Sequence, residues 1–246
     1  MIARNDPEAT YSLADRARVL VALGRVAEAT EAVAKAGAEQ GERFGFRNAV
    51  LYAKLAKLAG ARAPLPPDAF LAQVKGAPVN DLHPWFGALT GERPLSEALD
   101  AMTDKRLRVA VEITVSAAAD PDEALRLTVG ANRDALGRLD RTTSVLLAAE
   151  LYRKGSNQAA DLVLDATGEA NAPREAIREY LRSGDEDPKL RELDLECQAA
   201  VHLVRARALD VAGKPSDELV QTARSEDLLH GVVTLAADHW PRPRPN

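Results

Sequence analysis

A single cysteine, Cys197, leaves this chain of 246 residues without an intramolecular disulfide or a cysteine-based zinc cluster. Aromatic residues are equally scarce at 4%, and isoleucine occurs only at Ile2, Ile113 and Ile177. Strands favour β-branched and aromatic side chains, so a β-rich fold is excluded as the leading expectation. There is no excess of basic charge. The formal net charge is -5, which gives no field for a phosphate backbone and argues against nucleic acid as a partner. No uninterrupted apolar run approaches the length of a membrane-spanning helix, and residues 1–10 carry Arg4, Asp6 and Glu8 where a secretory leader needs an apolar centre. A cytoplasmic protein without membrane insertion is expected.

What is abundant is alanine, roughly a fifth of the chain, within 46% hydrophobic and 28% charged residues. Helix-start signals recur as aspartate followed by proline at Asp6-Pro7, Asp120-Pro121 and Asp187-Pro188, where the carboxylate can accept from first-turn amides and proline suits the first helical position. Ser216, Ser225 and Pro173 mark further starts, and Gly24, Gly60, Gly130, Gly155, Gly168, Gly184 and Gly213 supply stops. The expected fold is all-α, with about a dozen helices joined by short turns. Expected spans include 7–23, 25–38, 42–59, 67–75, 80–90, 95–102, 104–118, 121–136, 138–154, 156–167, 173–183, 188–212, 216–224 and 226–239. One domain is expected over 1–240, with a bend at the proline-rich segment 60–94 and a Pro/Arg tail at 241–246. In the span 188–212, Leu190, Leu193, Cys197, Ala200, Val201, Val204, Ala208 and Val211 make one apolar stripe. Leu195, Ala199, His202, Leu203, Ala206 and Leu209 make a second on nearly the opposite side, as a helix sandwiched between neighbours requires.

Searching for chemistry finds little that converges. Cys197 and His202 lie on different stripes of one helix, so they do not form a nucleophile and base, and Cys197 reads as a small core residue. Glu226 or Asp227 with His230 has the spacing of half a metal site, but His239 stands about half a turn away and an ion pair explains the pattern. Gly213-Lys214-Pro215-Ser216 lacks the leading glycine of a phosphate-binding loop. No catalytic residue, metal or cofactor is assigned. The remaining enzymatic alternative is a site assembled from distant helices around Asp81, His83 and Trp85; the bland reading of Trp85 and Phe86 is that they plug the core.

The spacing of small residues and turns carries a resemblance. Ala17, Leu20, Gly24, Ala29 and Ala36 stand at the mutual distances of the small and apolar positions of a tetratricopeptide repeat. Ala148, Leu151, Gly155 and Ala160 repeat the pattern with Thr167 at the last position, and Ala206, Leu209 and Gly213 repeat its first half with Glu218 next. The chain thus resembles, irregularly and in part, the tetratricopeptide-repeat-like superfamily. That resemblance implies an α-solenoid of stacked antiparallel helical hairpins whose first helices line a groove for a protein or peptide. Carried over by position, the groove residues are Tyr11, Ala14, Arg18 and Val21; Thr142, Val145, Ala149 and Tyr152; and Ala200, Leu203, Arg207 and Asp210. Of these, Tyr11, Arg18, Tyr152 and Arg207 are the partner-binding candidates, because aromatics and arginine carry interface energy. The implied role is a non-catalytic scaffold, adaptor or regulatory subunit; the alternative is a structural subunit of a larger or self-associating assembly.

Overall fold

The computed structural model describes residues 16–40 except 18 and 22, residues 55 and 84, residues 93–227 except 170 and 186, and residues 232–238. Among them are eleven bounded α-helices, one 3-10 helix and no strand, so the chain is all-helical there. Apart from Leu55 and Pro84, the expected helices at 42–59, 67–75 and 80–90 lie outside the described residues, as do Asp81, His83, Trp85, Phe86 and the tail. The chain divides into two compact units, Met1–Asp104 and Lys105–Asn246.

In the first unit, helical residues including Ala17 and Leu20 lead through Leu23 and Gly24 into α1 (Val26–Gln40). Gly24 has φ +73°. The Arg25 amide donates to the Leu20 carbonyl at 2.8 Å and the Gly24 amide to the Val21 carbonyl at 2.9 Å, which satisfies two carbonyls at the helix end. Ala17, Ala29 and Val33 are fully buried. A short helix, α2 (Leu95–Ala101), follows Pro94 and buries Ala98 and Leu99.

The second unit is a succession of helices joined by turns. It comprises α3 (Lys105–Ala119), α4 (Pro121–Gly130), α5 (Arg133–Leu136), α6 (Arg141–Arg153), α7 (Asn157–Ala166), α8 (Arg174–Ser183), a 3-10 helix (Pro188–Glu192), α9 (Leu195–Val211), α10 (Asp217–Glu226) and α11 (Val232–Asp238). Helices α3 and α4, α6 and α7, and α9 and α10 pack as consecutive pairs, with α6 also against α9 and with α8 against both. The same turn closes two of these pairs: at Gly155 and at Gly213 the amide of the following residue reaches back to the carbonyl of Leu151 (2.8 Å) and of Leu209 (2.9 Å). Polar side chains cap the starts, with Asp120, Asn132, Asp140 and Asp194 accepting from the amides of Glu123, Ala135, Thr143 and Cys197 at 3.2, 2.9, 3.1 and 3.0 Å.

Three expected spans are corrected by the observed helix ends. The span 121–136 is two helices, because Asn132 starts a new one after an extended Ala131. The span 188–212 is a 3-10 turn followed by α9, because Leu193 and Asp194 are extended and Asp194 caps the second helix. A helix beginning at 226 is also wrong: Glu226 is the last residue of α10, and Asp227 closes it. The two-stripe reading survives in α9 itself, where Ala199 to Val204 are all buried while Leu195 and Val211, at the ends of the stripes, are exposed.

Candidate interaction surface

Tyr11 and Arg18 lie outside the described residues. Tyr152 is buried on α6, its hydroxyl donating to Asp161 Oδ1 of α7 at 2.5 Å and its ring lying 5.2 Å beneath the Arg178 guanidinium of α8. Burial, reinforced by the hydrogen bond to Asp161, pushes the phenol above its ordinary range. Arg207 of α9 pairs instead with Glu150 of α6, a carboxylate whose side chain is only 3% exposed and which also takes Arg153 Nη2 at 2.8 Å. Residues 150 and 152 stand about 200° apart around α6, so Tyr152 and Arg207 meet opposite sides of it and are not brought together. Thr142, Val145, Ala149, Ala200 and Leu203 are buried as well, and Asp210 is half-buried.

Two further polar clusters join the hairpins. Arg141, at the start of α6, lies 2.9 Å from both Glu169 and Asp194, so one guanidinium ties the end of α7 to the cap of α9. Cys197 sits beside this cluster, fully buried, and burial together with the negative charge of Asp194 pushes its thiol well above the ordinary range. His202 of α9 is 2.7 Å from Glu226 of α10 through Nδ1, with Tyr180 of α8 edge-on at 5.5 Å between ring centres. This pairing engages the carboxylate that sequence spacing assigned to His230, which lies outside the described residues. None of these clusters groups three His, Cys, Asp or Glu as a cation site among the described residues.

Helices α3, α6, α9 and α10 meet at one further helix. Helix α11, described over Val232–Asp238, packs against α3, α6, α9 and α10, with Val232, Val233, Ala236 and Ala237 buried. Those side chains belong to the same hydrophobic cluster as Val145, Ala149, Ala200 and Leu203, four of the positions assigned by resemblance to a groove. The ends of α11 are tied to α10: the Thr234 amide donates to Asp227 Oδ2 at 2.8 Å, and Arg224 Nη2 lies 2.8 Å from Asp238. Sequence reading missed this seat. The signal was present in the apolar pairs 232–233 and 236–237, which fall on one helical face, but which helices they meet is a long-range fact.

A separate open cleft of about 370 Å³ lies between α3, α4 and α5. Its polar lining includes Lys105, Arg106, Glu112, Arg126 and Asn132. Both of its arginines are already engaged, Arg126 with Glu123 at 2.5 Å and Arg106 with Asp134 at 3.5 Å. No helix among the described residues is long and apolar enough to cross a membrane. Comparison with protein-family models, curated proteins and solved structures finds no match for this chain.

Proposed function

We propose that the chain is a non-catalytic interaction module, a scaffold, adaptor or regulatory subunit, in which α3–α4, α6–α7 and α9–α10 act as tetratricopeptide-like hairpins of a short α-solenoid. Its partner is another protein, received as a peptide or helical segment along α3, α6 and α9. The observation that carries this reading is that these three helices, each the first of its pair, all pack on one further helix, α11. A surface that holds one helix from three sides has the shape and apolar character for helix-in-groove recognition.

The test is photo-crosslinking from exposed positions on the unit. Full-length protein carrying a photoreactive residue at Arg108, Leu195 or Val211 is irradiated in an extract of its native cell and the adducts are sequenced. The expected outcome is a recurring protein adduct that an excess of unlabelled chain competes away. Adducts that are absent, or that resist such competition, would remove the interaction reading.

A further inference from the structure

The open cleft of about 370 Å³ between α3, α4 and α5 combines an apolar lining with an excess of donors. Val109 of α3, Leu127 of α4 and Ala135 of α5 supply the apolar part, and the first two are still half-exposed there. Lys105, Arg106 and Arg126 supply the cations, against Glu112 as the one carboxylate among the lining residues. That is a local positive excess in a chain of net charge -5. Lys105 is exposed and makes no ion pair among the described residues. The two arginines are paired only at the surface, with their side chains 55% and 69% exposed, so water and salt screen those pairs and an incoming carboxylate can exchange for them.

Gly130 borders the same cleft at the end of α4. Glycine is a poor helix former, and here neither a left-handed φ nor crowding calls for it: an added Cβ would meet nothing within 4 Å. Its effect is to leave one wall of the cleft without a side chain. Because the cleft is open, it does not enclose a ligand as small-molecule pockets do, but it can receive side chains of a segment lying across it.

Resting on the interaction reading above, we propose that this cleft is a docking site for an acidic peptide segment of the partner protein. One apolar side chain of the segment packs on Val109 and Leu127, and carboxylates on either side of it meet Lys105, Arg106 and Arg126. The cationic rim selects the sign of the partner's charge, and the apolar lining supplies the anchor.

The probe is a display library of random dodecapeptides panned against the full-length protein. Enriched sequences are expected to carry at least two Asp or Glu residues around a Leu, Met or Phe. The most enriched peptide, labelled with fluorescein and titrated by anisotropy, should lose at least about tenfold in affinity with Gly130→Phe, which fills the cleft, and with Lys105→Glu, which reverses a rim charge. Lys214→Glu makes the same change of charge at an exposed residue outside the cleft and should leave the affinity nearly unchanged. Lys105 is exposed, so its variant carries the test if Gly130→Phe does not fold. No enrichment, a basic or purely apolar consensus, or an acidic peptide that binds wild type and folded cleft variants equally overturns the proposal. Competed photo-adducts from Leu195 or Val211 alongside such a result would leave the interaction reading standing and remove only this inference.

Discussion

Glu150 is a charged residue in the middle of a helical core, and its neighbours explain how it is tolerated. Arg207 and Arg153 both pair with it, so the carboxylate exchanges water for two guanidinium groups. Replacing Arg207 with methionine keeps much of the volume and removes one partner. That substitution should cost roughly 2–4 kcal/mol in urea unfolding, and Glu150→Gln in the same chain should recover a large part of it, because the uncompensated charge is the main penalty. A cost below a few tenths of a kcal/mol would mean that Arg153 suffices. Sequence spacing placed Arg207 correctly on a helix yet assigned it to a partner-binding face, since the residue that meets it lies in a different hairpin.

Cys197 gives a pH dependence of definite sign. Its thiol is raised above the ordinary value of 9.0 in the folded chain, first by burial and then by Asp194. Below that value both folded and unfolded chains keep the proton and the full stability is present; above it only the unfolded thiol ionises, so stability falls as pH rises toward the folded value. The loss attributable to this group approaches ~1.4 kcal/mol per pH unit above that point. Tyr152, raised for the same first reason, adds to the loss above its ordinary 10.0. Urea midpoints measured across the alkaline range should therefore fall less steeply in Cys197→Ala than in wild type, and parallel slopes would contradict the assignment.

At the scale of elements, the hairpins rest on a glycine turn and on small residues where helices cross. Gly155 has φ +78° with open space around it, so Gly155→Ala pays only the left-handed backbone cost, roughly 1–2 kcal/mol. Ala160 has no exposed surface at all, and Ala160→Leu must push α6 and α7 apart, costing roughly 1–3 kcal/mol by overpacking. At the corresponding position of the third hairpin, Glu218 is exposed, so Glu218→Leu should leave denaturant stability almost unchanged. Stability of Ala160→Leu equal to that of Glu218→Leu would show that the two positions are not distinguished by packing. The helical content and the stops at Gly24, Gly155, Gly168, Gly184 and Gly213 were legible in the sequence because propensity and left-handed turns are local, whereas Gly130 is itself the last helical residue of α4 and is not left-handed. The breaks at Asn132 and Asp194 were hidden, because each cap interrupts an apolar pattern that runs through it in phase.

The whole of the second unit differs in one respect from an array in which each hairpin touches only its neighbours. The hydrophobic cluster runs from Ala110 and Ile113 in α3 to Ala237 in α11, and α11 crosses back to α3. Sequence periodicity reports which face of a helix is apolar, not which distant helix covers it, so this return of the chain was invisible before the fold was seen. In an open array a defect melts its own repeat and leaves remote ones protected. In the closed arrangement a defect should lower one shared unfolding free energy. Leu164, fully buried in α7, is the test residue. Leu164→Ala should cost roughly 3 kcal/mol, equivalent to a loss of amide-exchange protection of about 100-fold. Hydrogen exchange followed by mass spectrometry should show that loss across α3, α6 and α9 together, whereas a loss confined to α6 and α7 would mean that the hairpins melt independently and that α11 does not couple them.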